Sequence, residues 1–177
     1  ERDGENIISK IIIDREILEK LDLIADRDAL EHYRDMIINL REKGFKVILC
    51  LNHFTLPLWI HDPIKTREMK GRNEDNGWIN ERTIIEYTKY AAYIAWKLGD
   101  LTDMWATFNE PMVVTEAGLL LPESGFPPGL KDFKLFLKAS RNIAIAHAMA
   151  YDVIKMFDQT VSDENSKTSA EIGIIHN

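Results

Sequence analysis

The chain has 177 residues, of which 45% are hydrophobic and 29% charged, with a net charge of −7 and a pI of about 5.3. That is enough length and apolar content for one soluble domain with a real core, and the acidic balance excludes the basic face of a nucleic-acid binder. No apolar run approaches the ~18 residues of a membrane span and no signal-peptide pattern is present; the lone cysteine, Cys50, lies in an apolar run and fits a small buried side chain in a reducing, cytoplasmic setting.

The chain begins at Glu1 rather than Met and stops on Glu171-Ile172-Gly173-Ile174-Ile175-His176-Asn177, an apolar strand with a polar tip. The expectation is an internal segment, residues 1–177, of a longer single domain. Residues 1 to 11 read as an irregular lead-in, with a short extended piece at Ile7-Ile8 or Ile11-Ile12-Ile13. Asp14 can cap a helix from Arg15 to about Ala25, with Ile17, Leu18, Leu21 and Ile24 on one face. Asp26 or Asp28 can cap a second, about Ala29 to Lys43, with Leu30, Tyr33, Ile37 and Leu40 as its stripe and Gly44 at its left-handed end.

Phe45-Lys46-Val47-Ile48-Leu49-Cys50-Leu51 is nearly continuously apolar, as a strand covered on both faces would be. It ends in Asn52-His53-Phe54 and opens into a long loop to about Gly77, rich enough in Trp, Leu and Pro to be ordered. Asn80 caps a helix to Leu98, with Ile84, Tyr87, Ala91, Ile94 and Leu98 buried and Gly99 at its end. A second apolar strand, Met104-Trp105-Ala106-Thr107-Phe108, stops at Asn109-Glu110-Pro111. Another long loop follows, then a helix from about Asp132 to Phe157, a polar surface loop from Ser162 to Ser169, and the last strand. Two helix-length crossovers between apolar strands predict a parallel α/β sheet. Long strand-to-helix loops fit a (β/α)8 barrel, although a doubly wound sheet shares the alternation. No Gly-x-Gly-x-x-Gly, phosphate loop, Gly-x-Ser-x-Gly or His-Glu-x-x-His is present, so nucleotide, serine-hydrolase and metal chemistry have no support.

Glu110 is the candidate acid/base. A carboxyl group that donates a proton and later accepts one is served by partial burial or by a neighbouring carboxylate. Asn109 offers a donor and an acceptor to a hydroxyl-rich ligand. Pro111 is expected to restrict Glu110 to extended conformations. His53 and Phe54 occupy the same place on the preceding strand, an imidazole beside an aromatic wall, which suits a sugar. Alone, Asn-Glu-Pro reads as an Asn-capped turn and His53 as a structural histidine; two successive strands with such endings, each feeding a long loop, favour a site. His32 and His147 lie within helices and read as surface or packing residues. His61-Asp62-Pro63 reads as a turn, Trp59, Trp78 and Trp105 as packing residues, and Asp163-Glu164 as part of a solvated loop. His176-Asn177 has the right strand-end position without a following loop.

These residues resemble family 1 glycoside hydrolases, and the archaeal β-glycosidases most. The resemblance covers nearly the whole chain. It rests on Thr107-Phe108-Asn109-Glu110-Pro111, on Asn52-His53-Phe54-Thr55-Leu56-Pro57-Leu58-Trp59, on Tyr93-Ile94-Ala95-Trp96-Lys97, on Ser124-Gly125-Phe126-Pro127-Pro128-Gly129, and on Ala146-His147-Ala148 with Ala150-Tyr151-Asp152. It implies a partial (β/α)8 TIM barrel, roughly strands three to five with their helices, and a retaining β-glycosidase without cofactor or metal. Its partner would be a β-linked oligosaccharide or an aryl or alkyl glycoside, with homo-oligomerisation left open. Glu110 would be the acid/base, Asn109 would bond the 2-hydroxyl and His53 a glycone hydroxyl. Most members carry Trp where Phe54 stands, so one indole N–H is missing and β-mannosidase stays open beside glucosidase and galactosidase. The nucleophile motif, Thr/Ile-Glu-Asn-Gly, is absent; Asp163-Glu164-Asn165-Ser166 and Glu74-Asp75-Asn76-Gly77 do not supply it. Two further readings remain: a non-catalytic carbohydrate-binding protein on a degenerate barrel, and a barrel enzyme of another class that uses Glu110 as a proton-abstracting base.

Overall fold

A computed structural model describes residues 1–160 and 170–176. The loop expected from Ser162 to Ser169, with Asp163-Glu164, and the last residue Asn177 lie outside the described residues.

The helix signals act where the sequence places them. Asp14 accepts a hydrogen bond from Ile17 N at 2.9 Å and opens α1 (Arg15–Ile24). Asp26, not Asp28, accepts from Ala29 N at 2.9 Å and opens α2 (Arg27–Glu42). At the end of α2, Gly44 N bonds Arg41 O and Phe45 N bonds Leu40 O, with Gly44 at φ +84°. That paired bonding satisfies two terminal carbonyls and needs a left-handed residue, which glycine supplies without strain. The expected stripes are only partly buried. Leu18 and Ile37 are buried, but Ile24 and Tyr33 are exposed.

The strands β1 (Ile48–Cys50), β2 (Met104–Asn109) and β3 (Glu171–Ile175) form one parallel sheet in the order β1-β2-β3. α4 (Arg82–Leu98) crosses from β1 to β2, and α5 (Phe133–Phe157) from β2 to β3. A short helix, α3 (Pro63–Glu68), lies in the loop after β1. It was not expected: Asp62 caps it through Lys65 N and Pro63 takes its first turn, so the supposed turn is a helix start. The strand expected over Phe45 to Leu51 is shorter, and Ile48 is 57% exposed. Among the described residues β1 pairs with β2 only.

The core lies between β2, α4 and α5. Ala91 and Ala92 of α4 and Ala146 and Ala150 of α5 are all fully buried, and these small side chains let the two helices approach closely. Beside them Phe108 stacks on Tyr87 with ring centroids 4.7 Å apart, and Trp78 meets Phe108 edge-on at 5.3 Å. Each such aromatic pair adds about 0.5–1.5 kcal/mol beyond its buried area. Trp105, read as a packing residue, is buried and also donates its indole N–H to Asp158 at 2.7 Å.

β2 is not a regular strand. Ala106 pairs with Gly173 and Asn109 with Ile175, so β2 carries one extra residue between these pairs. Such a bulge breaks the strict alternation of side chains. Trp105, Thr107 and Phe108 accordingly all meet the helical layer: Trp105 at Asp158, Thr107 at His147 of α5, and Phe108 at Tyr87 of α4. Asn109 is thereby turned to the other side.

Candidate active site

The carboxyl ends of β1 and β2 are joined by a backbone bond, Asn109 N to Asn52 O at 2.9 Å. Asn52 is buried, and its amide donates to Thr55 O at 3.0 Å, which folds the chain back just after the strand. His53 is left exposed on the rim. Across the strand ends its Nε2 lies 3.2 Å from Asn109 Nδ2. A primary amide can only donate through that nitrogen, so Nε2 accepts and the imidazole proton belongs on Nδ1. Two side chains expected at the site, fifty-six positions apart in the sequence, are therefore in hydrogen-bond contact.

Phe54 packs edge-on against His53 at 4.8 Å and against Phe126 at 5.5 Å. Phe126 comes from the loop after β2, so the two strand-end loops meet through an aromatic pair. That loop is held in place by Leu130 N to Gly118 O and Asp132 N to Leu119 O, at 3.0 and 2.8 Å. Gly118 is required there: a Cβ would stand 2.6 Å from Pro127 O.

Glu110 is half-buried. Its N–H donates to Ile175 O at 2.8 Å, and its carbonyl accepts from Val113 N at 2.9 Å. The expectation that Pro111 would hold it extended is wrong. Glu110 sits at φ +45°, in the left-handed region. The bond to the end of β3 and the helical segment that Pro111 opens, residues 111–119, fix the backbone there instead. That segment contains a π-helical turn, Val113–Ala117, where only a loop was expected. Phe54 also has a positive φ, +73°. Left-handed non-glycine residues cost about 1–3 kcal/mol each and persist where the surroundings over-determine them, most often at functional sites. Both β1 and β2 thus hand over to their loops through such a residue.

The remaining candidates separate. His176, exposed just past β3, borders an open depression with Met112, Val113, Glu116, Ala117 and Leu121. His61 is half-buried, and burial pushes its imidazole below the ordinary range. It lines a small, mainly apolar cavity of about 40 Å³ behind Phe54. Trp78 is core, but Trp59 is 55% exposed under the guanidinium of Arg82, so it is not a packing residue. His32 is exposed. His147 is neither a surface residue nor simple filling: its Nδ1 lies 2.7 Å from Thr107 Oγ1, directly beneath the site. Among the described residues, no group of three or more His, Cys, Asp or Glu side chains could hold a metal ion, and no helix is long and apolar enough to cross a membrane.

A parallel sheet with its polar side chains gathered at the carboxyl strand ends is the arrangement of a barrel active site. The family model for glycosyl hydrolase family 1 matches residues 24–177. The chain belongs to glycosyl hydrolase family 1. A β-galactosidase of Pyrococcus woesei is 54% identical over 172 residues, which covers 97% of this chain and 34% of that protein. A β-galactosidase of Saccharolobus solfataricus is 44% identical over 148 residues, covering 84% of this chain and 30% of the relative. The crystal structure of the β-glycosidase from the hyperthermophile Thermosphaera aggregans superposes with a TM-score of 0.91 at 43% identity, covering 99% of this chain and 34% of that one. The family 1 chain thus spans about a third of the length of the relatives it matches. Its three parallel strands and their helices are part of a (β/α)8 barrel, roughly strands three to five.

Proposed function

We propose that this chain is an internal segment of the single catalytic domain of a retaining β-glycosidase that acts on terminal non-reducing β-D-glycosides. In the full-length protein Glu110 protonates the glycosidic oxygen while a second carboxylate, supplied from outside these residues, attacks the anomeric carbon. Glu110 then takes a proton from the water that hydrolyses the glycosyl-enzyme. Asn109 bonds the sugar 2-hydroxyl, His53 a second glycone hydroxyl, and Phe54 forms the aromatic wall. The observation that carries this reading is the Asn109–His53 contact at the ends of adjacent parallel strands, with Glu110 the next residue.

The names of the relatives make galactosides and glucosides the first substrates to try, and Phe54 keeps mannosides in the set. A homo-oligomer is part of the proposal, since a related hyperthermophilic β-glucosidase mutant forms a dodecameric structure in its crystal form. So is a cytoplasmic location, in keeping with a single, unpaired Cys50. The 177 residues alone should be inactive, because one carboxylate is missing and the edges of β1 and β3 have no partner strand among the described residues.

The test is Glu110→Gln in the full-length protein, assayed on aryl β-glycosides with poor and good leaving groups. Loss of kcat/KM concentrated on the poor leaving group is expected, because kcat/KM reports the first step and only that departure needs the proton. Parental turnover of the poor-leaving-group substrate refutes the assignment.

A further inference from the structure

We infer that His147 is a positioning residue for the proposed acid/base, acting through Thr107 and the β2 bulge; this rests on the reading of Glu110 given above. Thr107 is completely buried two residues before Asn109, within the irregular stretch of β2. It is fixed from three sides. Its hydroxyl lies 2.7 Å from His147 Nδ1 on α5 and 3.2 Å from Gly173 O on β3, and its carbonyl accepts from the Tyr87 hydroxyl on α4.

With both contacts made as hydrogen bonds, one proton assignment fits. A hydroxyl has one proton to give, and Gly173 O can only accept, so that proton goes to the glycine carbonyl. The threonine oxygen is then free to accept, and His147 donates to it through an Nδ1–H. This chain of two bonds, from histidine to hydroxyl to strand carbonyl, closes the gap in the ladder that the extra residue opens. Where a bulge re-aims a side chain, whatever holds the bulge also sets the direction of the residues downstream of it. The downstream residues are Asn109, whose amide reaches His53, and Glu110, whose N–H is bound to Ile175 O. Without the His147 bond the Thr107 hydroxyl is free to turn, and the bulge can slip toward regular pairing.

The histidine touches neither the sugar nor the reacting atoms, so its effect should be selective. Misplacing a proton donor by about 1 Å costs on the order of 10²-fold when proton transfer limits the rate. It costs little when the leaving group departs unaided.

In the full-length protein, His147→Ala and Thr107→Val are each expected to lower kcat/KM on a poor-leaving-group aryl glycoside by roughly tenfold to a hundredfold. On a dinitrophenyl glycoside kcat/KM, which reports only the first step, should stay within a few-fold of the parent. The double variant should lose no more than either single one, because both remove the same link. His147→Asn should recover most of the loss, since an asparagine amide N–H falls where Nδ1–H stood; His147→Gln, which matches the other ring nitrogen, should not. If His147→Ala does not fold, Thr107→Val and the Asn/Gln pair still decide the matter. Parental kinetics on the poor leaving group, an equal loss of kcat/KM on both substrates, or an Asn variant no better than Gln would each overturn the inference. Glu110→Gln run in parallel separates the two claims: if it discriminates between leaving groups and the His147 and Thr107 variants do not, the positioning role alone falls.

Discussion

At the amino end of the sheet, Arg34 grips Asp100 through two hydrogen bonds of 2.9 and 2.8 Å and also donates to Lys97 O. Arg41 meets Asp103 at 2.7 Å, and the same carboxylate accepts Val47 N at 2.7 Å. Trp105 donates to a buried Asp158, which Gly99 admits because a Cβ there would clash at 2.7 Å. Each of these charges has an opposite charge or a hydrogen-bond donor to hold it. The carboxyl end is built from other material. Its side chains are a neutral amide, an imidazole, a phenyl ring and a half-buried carboxyl group, and two of its residues stand in the left-handed region. One end spends its polar groups on tying α2 and the crossovers to the strands. The other leaves them facing outward, and the strain there is held in place by the sheet behind it. In a barrel this division is expected, with stability at the amino face and chemistry at the carboxyl face.

The sharpest way to break that comparison is at the carboxyl end. Glu110→Gln in the full-length protein should lower turnover of a poor-leaving-group glycoside by about 10²–10⁴-fold, the span of general acid catalysis, while the thermal midpoint hardly moves. A large drop in midpoint would mean that Glu110 is structural and that the two ends are alike. Asn109→Ala should cost on the order of 10–100-fold in kcat/KM, the loss of a hydrogen bond that strengthens toward the transition state. Unfolding curves of that variant should overlay the parent.

The amino end should answer in the opposite sense. Asp103→Ala removes one partner of Arg41 and the acceptor of Val47 N together, so destabilisation of about 1–3 kcal/mol is expected by denaturant titration. The kcat measured well below the midpoint should not change, and a selective kinetic loss would break the division of labour. The smallest effect concerns pH. Burial pushes the Asp158 carboxyl up from its ordinary value, against the bonds from Trp105 and Thr160 that favour the charged form. The folded chain then holds that proton more tightly than the unfolded chain. Its contribution is greatest below the ordinary carboxylate range and fades as pH rises through the raised value. Asp158→Asn keeps an acceptor for Trp105 and cannot ionise, so the gap in midpoint between variant and parent should shift in favour of the variant as pH rises from about 4. A gap that stays constant with pH would exclude this cause.

Much of the fold was legible in the sequence because the signals are local. Asp14, Asp26, Asp132 and Gly44 punctuate helices through bonds within a few residues, and Ile84, Tyr87, Ala91 and Leu98 of the α4 stripe are buried as their spacing predicts, with Ile94 half-buried. Asn80 accepts Arg82 N at 3.0 Å, but the cap position of the helix, which starts at Arg82, is taken by Glu81. The pairing of Asn109 with His53 was foreseeable once both were placed at parallel strand ends. The features that escaped depend on contacts between distant positions. His147 looks like any helical histidine until α5 is laid against β2. The left-handed Glu110 follows from a bond to Ile175, more than sixty residues on, which outweighs the local preference imposed by Pro111.

The extra residue in β2 also means that Asn-Glu-Pro is out of phase with its own strand. From Trp105 and Thr107, regular alternation would send Asn109 into the helices. The five residues Thr107 to Pro111 are therefore not a portable cassette. Grafted onto an unbulged strand of a designed barrel, they would turn the amide toward the helices. A faithful transplant has to carry the irregular pairing with β3 and the histidine-bearing helix along with the motif.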